Sequence, residues 1–91
     1  MQKFKKGYRV KIADEMPPSM FHFTKGVEAI IDYSYNEMYH NKDFENEYSL
    51  ILLDKNSNPV NSSAWYPSEL LTLVSDDVLK GLEITEKWNN R

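Results

Sequence analysis

The chain contains no cysteine. That removes disulfides, thiolate zinc sites and cysteine nucleophiles together, and it fits a reducing compartment. Its three glycines, Gly7, Gly26 and Gly81, are too scattered for a phosphate-cradling loop. No apolar run approaches the roughly 18–20 residues a membrane span needs; the longest, Leu50 to Leu53, suits a buried strand. No apolar stretch follows the early lysines, so no secretory signal and a cytoplasmic location are expected. Histidine is scarce too: His22 and His40 stand in two long connections, which could bring them together with Asp43 or Glu45, but they lack ligand spacing. No catalytic residue, metal site or cofactor is assigned, and an enzyme is not expected.

Positive charge is thin beyond the start of the chain. Of eleven bases, Lys3, Lys5, Lys6, Arg9 and Lys11 fall in the first eleven residues, which hold no acid. The other bases face all fourteen acids, and the net charge is −3. An acidic body argues against broad, sequence-independent nucleic-acid binding, which draws its affinity from neutralised phosphates. The basic first strand remains a candidate anion-binding strip, or a solvated face whose cations protect a sheet edge.

What is present is the material of one small β-rich domain: 91 residues build one core and not two. Phe4-Lys5-Lys6-Gly7 leads through a tight turn into a strand alternating Tyr8, Val10 and Ile12 against Arg9 and Lys11. Pro17 and Pro18 make 13–26 a long loop, whose Met16, Met20, Phe21 and Phe23 either pack over the fold or face a partner. Val27 to Tyr35 reads as the second strand and Glu47 to Asp54 as the third, with 36–46 as a long loop between them. Asp54-Lys55-Asn56-Ser57-Asn58 imitates a calcium loop but has Pro59 where the glycine belongs and Trp65 where the closing acid belongs; it is a hairpin turn. Val60 to Trp65 is the fourth strand, and Leu70 to Val74 the closing one. Ser75 is a candidate N-cap for a helix over 75–88, with Val78, Leu82 and Thr85 in one row and Leu79 and Trp88 beside it.

The segments Phe4-Lys5-Lys6-Gly7-Tyr8-Arg9-Val10, Lys25 to Ile31, and Ala64-Trp65-Tyr66-Pro67 leading into Leu70 to Leu73 resemble SH3-like barrels of the KOW and related bacterial or phage accessory type. The resemblance implies a mainly β fold: a five-stranded barrel over 1–74 with long loops, and a C-terminal helical extension over 75–91. It also implies a one-turn helix at Pro67-Ser68-Glu69-Leu70. Ala29 departs from it, standing where the KOW pattern usually has a second glycine.

The remaining signal is aromatic. Phe21, Phe23, Tyr33, Tyr35, Tyr39, Phe44 and Tyr48 crowd one region, and Trp65-Tyr66 lies beyond the next hairpin. Part of this set is needed to fill so small a core. The rest would form a shallow groove of the kind that grips extended, proline-rich or basic peptides, since flat rings pack on a preformed chain at small entropic cost. The expected function is therefore a non-enzymatic binding module for a protein partner. Tyr33, Tyr35, Tyr39, Trp65 and Tyr66 would make contact, and Asp43, Glu45 and Glu47 would supply charge. Two alternatives stay open: a nucleic-acid-binding accessory protein using Lys3, Lys5, Lys6, Arg9 and Lys11, or a phage-type inhibitor of a host nucleic-acid enzyme. No membrane association is expected.

Overall fold

The computed structural model describes residues 3–14, 25–40, 43, 46–63 and 65–91. Chain order runs β1 (Arg9–Ile12), β2 (Glu28–Ser34), α1 (Tyr35–Tyr39), β3 (Glu47–Leu53), β4 (Pro59–Ser62), β5 (Tyr66–Pro67), a 3-10 turn (Ser68–Leu70), β6 (Leu71–Ser75) and α2 (Val78–Asn89). All pairings are antiparallel, in the order β4-β3-β2-β1-β6, with β5 also on β3. The last strand thus returns beside the first: Ile12 faces Leu71 and Lys11 faces Thr72. The expected five strands are six. The expected fourth strand, Val60 to Trp65, is replaced by β4, which runs from Pro59 to Ser62 against Ile51 to Leu53, and the short β5 that follows it meets Glu47 and Tyr48. Among the described residues the hydrogen-bonded sheet ends at β4 and β6 and is not closed. No helix there is long and apolar enough to cross a membrane. The expected loop residues Met16, Met20, Phe21, His22, Phe23 and Phe44 lie outside the described residues.

Strand alternation sorts the apolar side chains onto two faces. Val10, Ile12, Ala29, Ile31, Tyr48, Leu50, Tyr66 and Leu71 form the inner core with Phe4. Ile30, Ile51 and Leu53 point the other way, where Ile84 and Trp88 of α2 cover them. This explains the unbroken apolar runs of β2 and β3: both central strands are buried on both faces. Burying each of the three outer residues contributes about 2 kcal/mol. The Tyr48 hydroxyl ties the chain start to the core. It accepts from the backbone N–H groups of Lys3 and Phe4, each at 3.0 Å, and donates to Asn46 Oδ1 at 3.0 Å. That uses its whole hydrogen-bonding capacity.

Helix α2 differs from its sequence reading in two respects. Its N-cap is Asp77, whose side chain accepts from the Lys80 N–H at 3.3 Å, while Ser75 Oγ accepts from the Asp77 N–H at 3.1 Å. Its buried face holds Gly81 and Thr85, with Ile84 and Trp88 packed on the sheet, whereas Leu79 is 76% exposed and Leu82 also faces water. Gly81 sets this rotation. A Cβ there would collide with the Gly7 carbonyl oxygen and stand 2.8 Å from the Gly7 Cα, so two backbones touch where no side chain fits. Lys87 Nζ donates to Asn58 Oδ1 at 2.8 Å and ties the helix to the β3–β4 turn. That turn is closed by Asp54 Oδ1, which accepts from the N–H groups of Asn56 and Asn58.

Candidate aromatic binding surface

The site begins with an irregularity in β2. Ile31 faces Leu50 and Tyr33 faces Ser49, so Asp32 is an extra residue, a β-bulge that switches the faces of the residues after it. Tyr33, which strict alternation along β2 would put on the face of Ala29 and Ile31, turns outward, and Ser34 turns inward and is buried. The strand ends there because Ser34 opens a helix. Its Oγ accepts from the Glu37 N–H at 3.1 Å, and its own N–H donates to Glu37 Oε1 at 3.4 Å. This reciprocal capping box satisfies two otherwise unpaired donors. His40 closes the helix with φ 54°, its N–H donating to Asn36 O at 2.7 Å. Tyr35 is therefore helical, and the expected loop after it begins with α1.

One helical turn separates Tyr35 from Tyr39, which places both rings on one face. Their centroids are 4.6 Å apart. Trp65, in the gap between β4 and β5, packs edge-on against both, at 5.1 Å from Tyr35 and 6.0 Å from Tyr39. Ser63 positions that gap: its N–H donates to Leu50 O, and its Oγ accepts from the Leu50 N–H. Tyr39 is 56% exposed, and its neighbour Met38 is exposed too. The three rings touch each other, with Tyr39 the most exposed and Tyr35 and Trp65 partly buried. Glu37 is exposed on the same helix, Asp43 is exposed on the connection to β3, and Glu47 opens β3 opposite Pro67.

The other expected contact residues go elsewhere. Tyr66 is a correction: it is 3% exposed, paired with Tyr48 across β5–β3 and packed in the inner core, so no partner reaches it. The residue after Trp65 points inward because strand pairing resumes there. Tyr33 lies under Lys6, whose Nζ is 4.2 Å from the ring centroid, apart from the three-ring cluster. Glu45 lies outside the described residues.

The basic strip is largely matched by acids. Lys6 Nζ lies 3.7 Å from Asp32, Arg9 Nε 2.6 Å from Glu28 Oε1, and Lys11 Nζ 3.6 Å from Asp14. Arg9 Nη2 also donates to Ser57 Oγ at 2.8 Å. Lys3 lies over the Phe4 ring, and Lys5 is exposed. Burial raises the pKa of Asp32 above the ordinary carboxylate value; the Lys6 ammonium opposes this, and the charge of Glu37 adds to it. Among the described residues no three of His, Asp and Glu converge as a bound metal ion would require.

The Ser34-x-x-Glu37 spacing is a capping-box pattern that could have marked α1 within the expected strand and loop, and with this helix Glu37 and Met38 join the candidate surface. No family model, no curated protein and no solved structure matches the chain.

Proposed function

We propose that this chain is an SH3-like barrel acting in the cytoplasm as a non-enzymatic binding module. Its ligand is a proline-rich or basic segment of a protein partner, held against Tyr35, Tyr39 and Trp65. The observation that carries this reading is the three-ring cluster, with Tyr39 more than half exposed and Met38 beside it. A polyproline helix is already extended, so laying it on flat rings orders little that was free. Glu37, Asp43 and Glu47 favour a ligand carrying Lys or Arg, through attraction that steers the encounter. The return of β6 beside β1 across a 3-10 turn supports the SH3-like assignment.

The test is affinity capture from a nuclease-treated lysate, with the wild-type chain beside a Tyr39→Ala, Asp43→Lys variant. The expected result is a defined protein partner held by the wild type and lost by the variant. Equal capture by both would contradict the proposed surface. Recovery that vanishes on nuclease treatment would move the function to Lys3, Lys5, Lys6, Arg9 and Lys11.

A further inference from the structure

The two edges of the sheet are built differently. At β4, Pro59 withholds a donor, and α2 is tied alongside through the Lys87–Asn58 bond. Among the described residues, β6 has neither protection. Leu71-Thr72-Leu73-Val74-Ser75 contains no charge and no proline, and among the described residues it pairs with β1 alone. Leu73 and Val74 are 47% and 48% exposed. Stable monomers ordinarily blunt such an edge with lysine, proline or cover.

β6 also has one irregularity. Arg9 faces Ser75 while Val10 faces Leu73, so Val74 is an extra residue on β6. Bulges re-aim side chains. Val74 lines a groove of about 490 Å³ between this strand and α2, with Ile30, Ile84 and Gly81 as its apolar part. Asp77, Glu83 and Glu28 are its acids and Arg9 and Lys80 its bases, and Arg9 is already bonded to Glu28 and Ser57. Exposed acids also bracket the strand itself: Glu69 precedes it, and Asp76 and Asp77 come directly after it.

We propose that β6 is a docking edge for an extended segment of a partner protein with an apolar, β-branched centre and Lys or Arg at both ends. The segment adds as a further strand beside Leu71 to Leu73. Backbone hydrogen bonds hold it, and a Lys or Arg beside Val74 lays its aliphatic stem along the groove with its charge toward Asp77 and Glu83. Charge complementarity selects this occupant over a second copy. Two-fold antiparallel pairing of β6 with itself would set Asp76 and Asp77 of each chain against Glu69 of the other, acid against acid at both ends.

The test uses two labelled synthetic peptides, Lys-Lys-Val-Ile-Val-Thr-Lys and its counterpart with Glu at every Lys position. Each is titrated into the full chain by fluorescence anisotropy, with amide exchange followed by NMR. The basic peptide is expected to bind at least about tenfold tighter, the scale of several rim charge pairs acting together. It should slow exchange of the 71–75 amides that point away from β1. Leu73→Lys should weaken it by about tenfold or more, since a charge is buried on docking. Should that variant fold poorly, the surface pair Glu69→Lys with Asp76→Lys must reverse the preference between the peptides. The proposal is overturned by equal binding of both peptides or by no binding at millimolar concentration. Unchanged β6 exchange, or β6 protection that grows with protein concentration in the absence of peptide, would overturn it as well.

Discussion

Gly81 sits where intrinsic propensity and packing disagree. In an exposed helix, Gly→Ala would stabilise by about 1 kcal/mol. Here a Cβ would meet the Gly7 backbone, which has no flexible end to give way. Overpacking of that kind costs about 1–3 kcal/mol, so it outweighs the propensity gain. Gly81→Ala should lower stability in urea unfolding, and a more stable variant would show that α2 does not press on Gly7 as described. Asp32 gives a second residue-scale prediction. Its carboxyl, raised mainly by burial, holds a proton in the folded chain at pH values where the unfolded chain has lost it. Its contribution to stability therefore falls as pH climbs from the ordinary carboxylate value through the raised one, and is level above that. Asp32→Asn removes this fall. Denaturation of wild type and variant across the acid range should show the variant gaining relative stability as pH rises; a pH-independent difference would contradict the assignment.

Among the elements, α1 is the one on which the proposed surface depends. Two of its rings stand on a helix of five residues, too short to persist unaided. Its order comes from the capping box and from the contact with Trp65. Ser34→Ala should cost about 1 kcal/mol in thermal or urea unfolding and broaden the Tyr35 and Tyr39 ring signals in NMR; sharp, unshifted rings would separate the cap from the surface. Sequence patterning made the strands legible because alternation and turn chemistry agree along them: Val10 and Ile12, the Leu50 to Leu53 run, and the Asp54 turn all fall where expected, while Tyr8 stands just before β1. It failed at α1, where Tyr35 reads as the end of the strand; Tyr33 does lie in β2, but on the face opposite to the one strict alternation gives it. The Asp32 bulge reverses the faces, and nothing in composition marks a bulge. It failed again on the face of α2, since leucines at 79 and 82 outweigh a glycine on any hydrophobicity count, yet close approach needed the glycine.

On the scale of the whole molecule, the sheet carries two apolar layers and two open features. The inner core and the α2-covered outer face account for the large buried side chains. Among the described residues, the three-ring cluster with Met38 and the β6 edge with Leu73 and Val74 are two exposed apolar features, beside single exposed residues such as Val60 and Leu79. Of the expected contact residues, Tyr35, Tyr39 and Trp65 converge because α1 and the β4–β5 break meet beside the start of β3, a long-range coincidence that no local spacing encodes. Tyr66 was lost to the core because strand pairing resumes at β5, opposite Tyr48, while Trp65 stands in the gap before it. The most direct test of the binding account is a titration of the isotope-labelled chain with the peptide Pro-Pro-Lys-Pro-Pro-Arg-Pro, monitored at the indole N–H signals of its two tryptophans. Trp65 lies in the cluster and Trp88 under α2, on the opposite face of β3 from the inner core. The account predicts a saturable shift of the Trp65 indole and of the α1 amides, with Trp88 unmoved. Shifts confined to Trp88, or none at either indole, would contradict it.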